Sequence, residues 1–323
     1  MTFDWRRAVI LAMVLGMSAL AAGAQGKDAA SAPDASRVTY RTAQVDGLKI
    51  FYREAGPKDA PTLLLLHGFP TSSLMFRELI PRLSDKYHVL APDYPGYGYS
   101  DMPSPDQYAY TFDHLTDTVE HLLSQLGVQK YSIYIMDYGA PVGFRLATRH
   151  PERIQAIITQ NGNAYDEGLG PFWAVYFYPL WKDRNDPNAI AGAAKLLKPE
   201  ATKYQYTQGF RNPEDVSPDA PTLDQLGLDR PGNDQIQLAL AYDYRTNPPL
   251  YPSWQKYLRD KKPPVLIVWG KNDPIFIAPG ATAFLRDVPD AEIHMLNTGH
   301  FALEEDGAAI AQYMRAFLAK NVH

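Results

Sequence analysis

From Val38 onward the chain alternates between short apolar runs and stretches whose apolar residues recur at helical spacing. Val38–Ala43 and Leu48–Glu54 predict two paired strands around a turn at Asp46-Gly47. Thr62–Leu66 is apolar throughout, as expected of a strand buried on both faces of a parallel sheet, and Tyr87–Ala91 repeats the pattern. Phe112, Leu115, Val119, Leu122, Leu123 and Leu126 fall on one helical face, and Gly127 ends that helix. A strand at Tyr131–Met136, a helix to about Arg149 and a strand at Ile154–Gln160 follow. Strands alternating with helices imply right-handed crossovers and a mainly parallel sheet, which is an α/β fold.

The rhythm breaks over residues 163–262, which are rich in Tyr, Trp, Pro and Asp and lack clean strands. It resumes with strands at Pro264–Gly270 and Glu292–Leu296 and a closing helix over Phe301–Leu318. The predicted core is therefore split, residues 38–162 and 263–323, around an inserted helical lid at 163–262. An aromatic-rich insertion at the carboxyl end of a sheet is suited to covering a pocket there.

The N-terminus carries a different pattern. Arg6 and Arg7 precede an apolar run, Ala8–Leu20, and Ala22-Gly23-Ala24 offers a small-x-small cleavage site. This reads as a signal peptide over residues 1–24 followed by a flexible lead-in at 25–37, and it implies an exported protein, periplasmic or secreted. The 323 residues contain no cysteine, which excludes disulfides, thiolate metal sites and a cysteine nucleophile. A net charge of −5 gives no reason to expect nucleic acid or, after leader cleavage, a membrane as partner.

The candidate chemistry begins at Asp137. In KYSIYIMDYGAPVGFR, Lys130–Arg145, an apolar strand meets one polar residue and then Tyr138, Gly139, Ala140 and a helical pattern. That is the strand–turn–helix profile of a nucleophile elbow, with Asp in place of the usual serine. The strained turn demands small residues, which Gly139 and Ala140 supply. Ile135 is larger than the residue an elbow ordinarily holds there. A carboxylate attacking an acyl group gives a labile anhydride, whereas at an sp³ carbon it displaces a leaving group and forms an alkyl ester. Cleavage of a C–O or C–halogen bond is therefore expected.

Hydrolysis of such an ester needs a base and an acid that orients it. Asp273, just beyond a strand in WGKNDP, and His300, in NTGHF, follow the elbow in that order. Asn161, at the end of an earlier strand, cannot supply the acid's charge. His67-Gly68 ends the first long apolar strand, so the backbone N–H groups of Phe69 and Tyr138 are the expected oxyanion donors. His67 and Asp93 read as loop-fixing residues.

HGFP at 67–70, PDYPGYGYSD at 92–101, MDYGAPVGFR at 136–145, WGKNDPIF at 269–276 and GHFALEED at 299–306 together resemble the α/β-hydrolase superfamily. The resemblance is to its Asp-nucleophile branch of epoxide hydrolases and haloalkane and fluoroacetate dehalogenases. It implies an α/β-hydrolase fold, a mostly parallel sheet flanked by helices, with an inserted helical lid. Haloalkane dehalogenases usually hold the halide with a Trp after the nucleophile and an Asn or Glu after His-Gly, where this chain has Tyr138 and Phe69. Fluoroacetate dehalogenases usually place an Arg after the nucleophile, again Tyr138 here. Epoxide hydrolases share His-Gly-Phe-Pro and protonate the epoxide oxygen with lid tyrosines. Tyr244 matches their late-lid Tyr-Arg element, and Tyr176 or Tyr178 is the early-lid candidate.

The resulting expectation is an Asp137–Asp273–His300 triad that opens epoxides to diols, on a small apolar organic substrate in a pocket walled by Phe69, Tyr138 and Trp173. No metal and no organic cofactor is expected, because a carboxylate and an imidazole cover every proton transfer. A dehalogenase holding halide with Trp173, Trp181 or a lid tyrosine is the first alternative. An esterase or lactonase using Asp137 as a base and a non-catalytic ligand-binding relative are the others.

Overall fold

Eight of the apolar runs form one sheet, in the order β1-β2-β4-β3-β5-β6-β7-β8. The computed structural model describes residues 37–322, so the expected signal peptide and nearly all of the lead-in lie outside the described residues. β1 (Thr39–Val45) and β2 (Leu48–Ala55) are antiparallel and joined by a two-residue turn. Asp46 and Gly47 have φ of 50° and 83°, the pair of positive values that a turn matching the strand twist requires. β2 also pairs antiparallel with β4 (His88–Pro92). From β4 onward every pairing is parallel, through β3 (Thr62–Leu66), β5 (Tyr131–Met136), β6 (Ile154–Gln160), β7 (Val265–Gly270) and β8 (Glu292–Leu296).

In the central strands β3 and β5 the side chains explain why there is no polar face. Alternate residues of a strand point to opposite sides of the sheet. Leu64, Leu66, Ile133, Ile135 and Ile157 enter one apolar cluster, and Leu63, Leu65, Tyr134, Met136 and Ile158 enter the other. The first cluster is closed by α1 (Phe112–Gln125) and α2 (Gly139–Arg149), the second by α11 (Ala302–Asn321) through Ile310, Met314 and Phe317. A short helix α10 (Pro279–Ala283) lies between β7 and β8.

Between β6 and β7 the chain makes helices and no strand. These are α3 (Pro171–Tyr176), α4 (Tyr178–Lys182), α5 (Pro187–Ala194), α6 (Pro199–Thr207), α7 (Asp219–Leu228), α8 (Asn233–Asp243) and α9 (Tyr251–Lys261). The loops that leave the carboxyl ends of β3, β5, β6, β7 and β8 carry Phe69, Asp137, Asn161, Asp273 and His300 in turn. In a parallel sheet those ends lie on one edge, the edge at which such folds bind ligands.

Candidate active site

Asp137 sits at the tip of the β5–α2 turn with φ of 50° and is 5% exposed. A non-glycine residue holds that conformation only where its surroundings impose it. The imposed contact is visible at Gly139, where a Cβ would lie 2.1 Å from the Leu66 carbonyl oxygen. At Gly68 a Cβ would lie 2.3 Å from that of Asp137 itself. The turn also tolerates Ile135, because Gly143, one turn into α2, leaves room for it. A Cβ on Gly143 would come within 2.4 Å of Ile135 Cγ2.

The two oxygens of Asp137 have different surroundings. Oδ1 accepts the backbone N–H of Phe69 at 2.7 Å and that of Tyr138 at 2.6 Å. Oδ2 is 3.9 Å from Nε2 of His300. His300 is fully buried, and its Nδ1 donates to Oδ2 of Asp273 at 2.8 Å. That bond leaves Nε2, which has no hydrogen-bond partner, as the ring atom facing Asp137.

Charge completes the arrangement. Burial pushes the Asp137 carboxyl up to about 6, against the opposing pull of His300 and the two N–H donors. Burial lowers His300, but the Asp273 carboxylate and its hydrogen bond, with Asp137 behind them, raise it overall. A carboxylate, an imidazole and a second carboxylate hydrogen-bonded to it are thus assembled from the ends of β5, β8 and β7.

Residues 61–307 match the alpha/beta hydrolase fold family. The chain belongs to that family. A Saccharomyces cerevisiae protein named an uncharacterized hydrolase is 47% identical over 279 residues, 85% of this chain and 95% of the relative. A haloalkane dehalogenase of Mycolicibacterium paratuberculosis is 27% identical over 279 residues, 82% of this chain and 86% of its own length. The crystal structure of an epoxide hydrolase from Vigna radiata superposes with a TM-score of 0.69 at 26% identity, over 88% of this chain and 98% of that one.

In this α/β-hydrolase a cavity of about 10 Å³, the space of roughly one water molecule, opens on Asp137. Phe69, Tyr138 and Trp173 line it, as do Phe177, Gln205 and Ile275. Tyr244 is fully buried against Trp173, ring centroids 4.5 Å apart, and Tyr138, 5.7 Å apart. Its hydroxyl neighbours that of Tyr251 and has no well-formed hydrogen bond. Burial first, then Tyr251 and the nearby Asp137 charge, push it well above the usual phenol range, so it is a protonated donor.

The early tyrosines are placed differently from expectation. Trp173 and Phe177 are the buried residues at this helix junction, one turn apart, so Tyr176 and Tyr178 on either side of Phe177 are turned away from the cavity. Tyr178 is 41% exposed, and Tyr176 lines a separate outer cavity. Neither lines the small cavity at Asp137, and nor does Tyr244, which packs behind Trp173 and Tyr138. The indole N–H groups of Trp173 and Trp181 donate to the carbonyls of Ile275 and Ala241, which leaves neither free to hold a halide.

His67 and Asp93 fasten loops. His67 accepts the Tyr94 N–H at Nε2, 3.3 Å, and burial holds it down to about 4, hence neutral. Asp93 accepts from the N–H groups of Ser73 and Tyr99 at 2.7 and 2.9 Å. Two residues escaped the sequence reading, Asn161 beside Asp273 and Gln205 at the cavity. The sequence offers Asn161 only as a poor candidate for the acid, and no motif surrounds Gln205.

Proposed function

We propose that this α/β-hydrolase cleaves bonds at an sp³ carbon through an ester on Asp137, and that its substrates are small apolar epoxides opened to diols. The observation that carries the reading is the unequal treatment of the two Asp137 oxygens. Oδ1 is held by two backbone N–H groups, while Oδ2 is left facing the imidazole.

Oδ2 attacks the less hindered ring carbon. The C–O bond breaks, its electron pair passes to the ring oxygen, and that oxygen takes the phenol proton of Tyr244. The ester carbonyl oxygen is then Oδ1, already in the cradle of Phe69 and Tyr138. His300 takes a proton from water, and the hydroxide adds to the ester carbonyl. The charge that builds on Oδ1 is stabilised by the same two N–H groups. Collapse expels the diol oxygen, which His300 protonates, and the proton of the new carboxyl returns to Tyr244.

A dehalogenase reading draws support from the mycobacterial relative's name. The occupied N–H groups of Trp173 and Trp181 favour the epoxide. The deciding test is intact-protein mass of His300→Gln after exposure to a small epoxide or a haloalkane. A gain equal to the whole epoxide, absent in Asp137→Ala, supports ring opening. A gain of the alkyl group alone makes the protein a dehalogenase. No adduct with either probe removes the covalent mechanism for both. Export is part of the same proposal, and a mature chain beginning at Gln25 is its signature.

A further inference from the structure

Three polar side chains are buried on the inner face of α6, Thr202, Gln205 and Tyr206. Thr202 Oγ1 donates to Gln225 at 2.7 Å, and the Tyr206 hydroxyl donates to Asp224 at 2.6 Å. Gln205 is the exception. It is 4% exposed, and its Nε2 is shielded from solvent without a hydrogen-bond partner. An unpartnered buried donor destabilises a fold, and native proteins keep few of them.

Its position suggests a use. Gln205 lines the small cavity at Asp137 and also a larger outer cavity of about 440 Å³ bounded by α3, α6 and the segment between α5 and α6. Phe172, Leu196 and Gln205 line both, so these three side chains form the partition between the outer space and the nucleophile. Two are apolar. Gln205 is the polar member of that partition, and its amide nitrogen is the donor left without a partner.

We infer that Gln205 is a catalytic residue whose Nε2 donates a hydrogen bond to the substrate oxygen as that oxygen leaves carbon, the part for which an early tyrosine had been expected. The inference rests on the epoxide reading above. Gln205 transfers no proton. Oδ2 of Asp137 forms the new C–O bond, the ring C–O bond breaks, Tyr244 gives its proton to the oxygen, and Gln205 disperses the charge developing there. The donor bonds to the substrate only in the ring-opening step, so its loss falls on that step alone.

The experiment compares His300→Gln with His300→Gln/Gln205→Leu, mixing each with styrene oxide and following ester formation by quenched intact mass. Leucine keeps most of the volume and removes the donor. Ester formation is expected to slow by roughly 10- to 100-fold, the range for a hydrogen bond to a developing charge. Ester hydrolysis in Gln205→Leu with His300 intact should change less than about twofold, an expectation that follows from the donor's absence from that step. Its melting temperature should not fall, since an unpartnered polar group has gone. Equal rates of ester formation with and without Gln205 would overturn the inference. So would a lowered melting temperature with both steps slowed alike, which marks a structural residue. Faster reaction with the bulkier stilbene oxide and an unchanged rate with styrene oxide would make Gln205 a partition only. If His300→Gln itself gives no adduct, the epoxide reading falls and takes this inference with it.

Discussion

Asn161 Nδ2 lies 2.7 Å from Oδ2 of Asp273, the same oxygen that accepts from His300 at 2.8 Å. Asn161 is fully buried with φ of 49°, and its Oδ1 accepts the Gly270 N–H at 2.9 Å. The other Asp273 oxygen accepts the Ile275 N–H at 2.7 Å. The acid is therefore gripped on both oxygens, and Asn161 couples the end of β6 to the end of β7. On the proposed mechanism Asn161 is a positioning residue that acts through Asp273.

Asn161→Gly keeps the positive φ accessible while removing the amide. We expect kcat to fall about 10- to 100-fold, the usual scale for loss of an orienting partner behind a catalytic group. Ester should accumulate on Asp137, because the proposed ring opening does not use Asp273. Steady-state mass spectra that show no more ester than the wild type would contradict this.

The pH profile follows from the carboxyl and the imidazole. On the proposed mechanism Asp137 must be ionised to attack, and burial sets it at about 6, so kcat/KM should fall tenfold per pH unit below that value. His300 must be neutral to activate water. In the free enzyme the Asp273 and Asp137 carboxylates together raise it against burial. Esterification discharges Asp137, so His300 should titrate lower in the intermediate than in the free enzyme. Transient measurement of ester decay against pH, set beside an NMR titration of the free imidazole, checks the sign. Coincident midpoints would count against it.

How far the site could be read in advance depended on whether a residue's setting was local. Strands β3 and β5 are buried along their whole length because both sheet faces are covered, and the limits of β3, β5 and β6 agree with expectation. Asp137 follows β5 at once, and Asp273 and His300 stand in the loops just past β7 and β8, so their common edge was legible. Asn161 was not, since its role depends on an αL backbone and on a neighbouring strand over a hundred residues away. Tyr176 and Tyr178 flank Phe177, which takes the inward position between them, so helix phase and not the motif decides which side chain lines the cavity. Gln205 belongs to a helix whose three buried polar residues look alike in sequence, and only their partners tell them apart.

The oversized residue at the elbow offers a packing test. Ile135 fits only because Gly143 has no Cβ, which would sit 2.4 Å from Ile135 Cγ2. Gly143→Ala alone should destabilise by about 1–3 kcal/mol through overpacking. Ile135→Ala alone should cost about 2–5 kcal/mol by opening a cavity. In the double variant the new methyl meets no γ carbon, so the total should be smaller than the sum by about 1 kcal/mol or more. Additive values from urea unfolding would mean that the two residues do not share the space.

The last test concerns Asp224 of α7, which accepts the hydroxyl of Tyr206 in α6 at 2.6 Å within the insertion, while Tyr206 stacks on Phe301 of the core, centroids 4.1 Å apart. Burial pushes the Asp224 carboxyl up to about 7, with Glu304 adding to the shift and Tyr206 and Arg77 opposing it. A folded-state value above the unfolded one means that the stabilising contribution is fully present below about pH 4 and is lost as pH rises through about 7. Above that, the folded chain carries a buried carboxylate, a penalty of up to about 4 kcal/mol for a shift of roughly three pH units. Asn supplies a neutral acceptor for Tyr206 at every pH. Asp224→Asn should therefore match the wild type in melting temperature at pH 4 and exceed it increasingly between pH 5 and 8. A gain that is the same at pH 4 and pH 8 would show that the carboxyl does not titrate in this window.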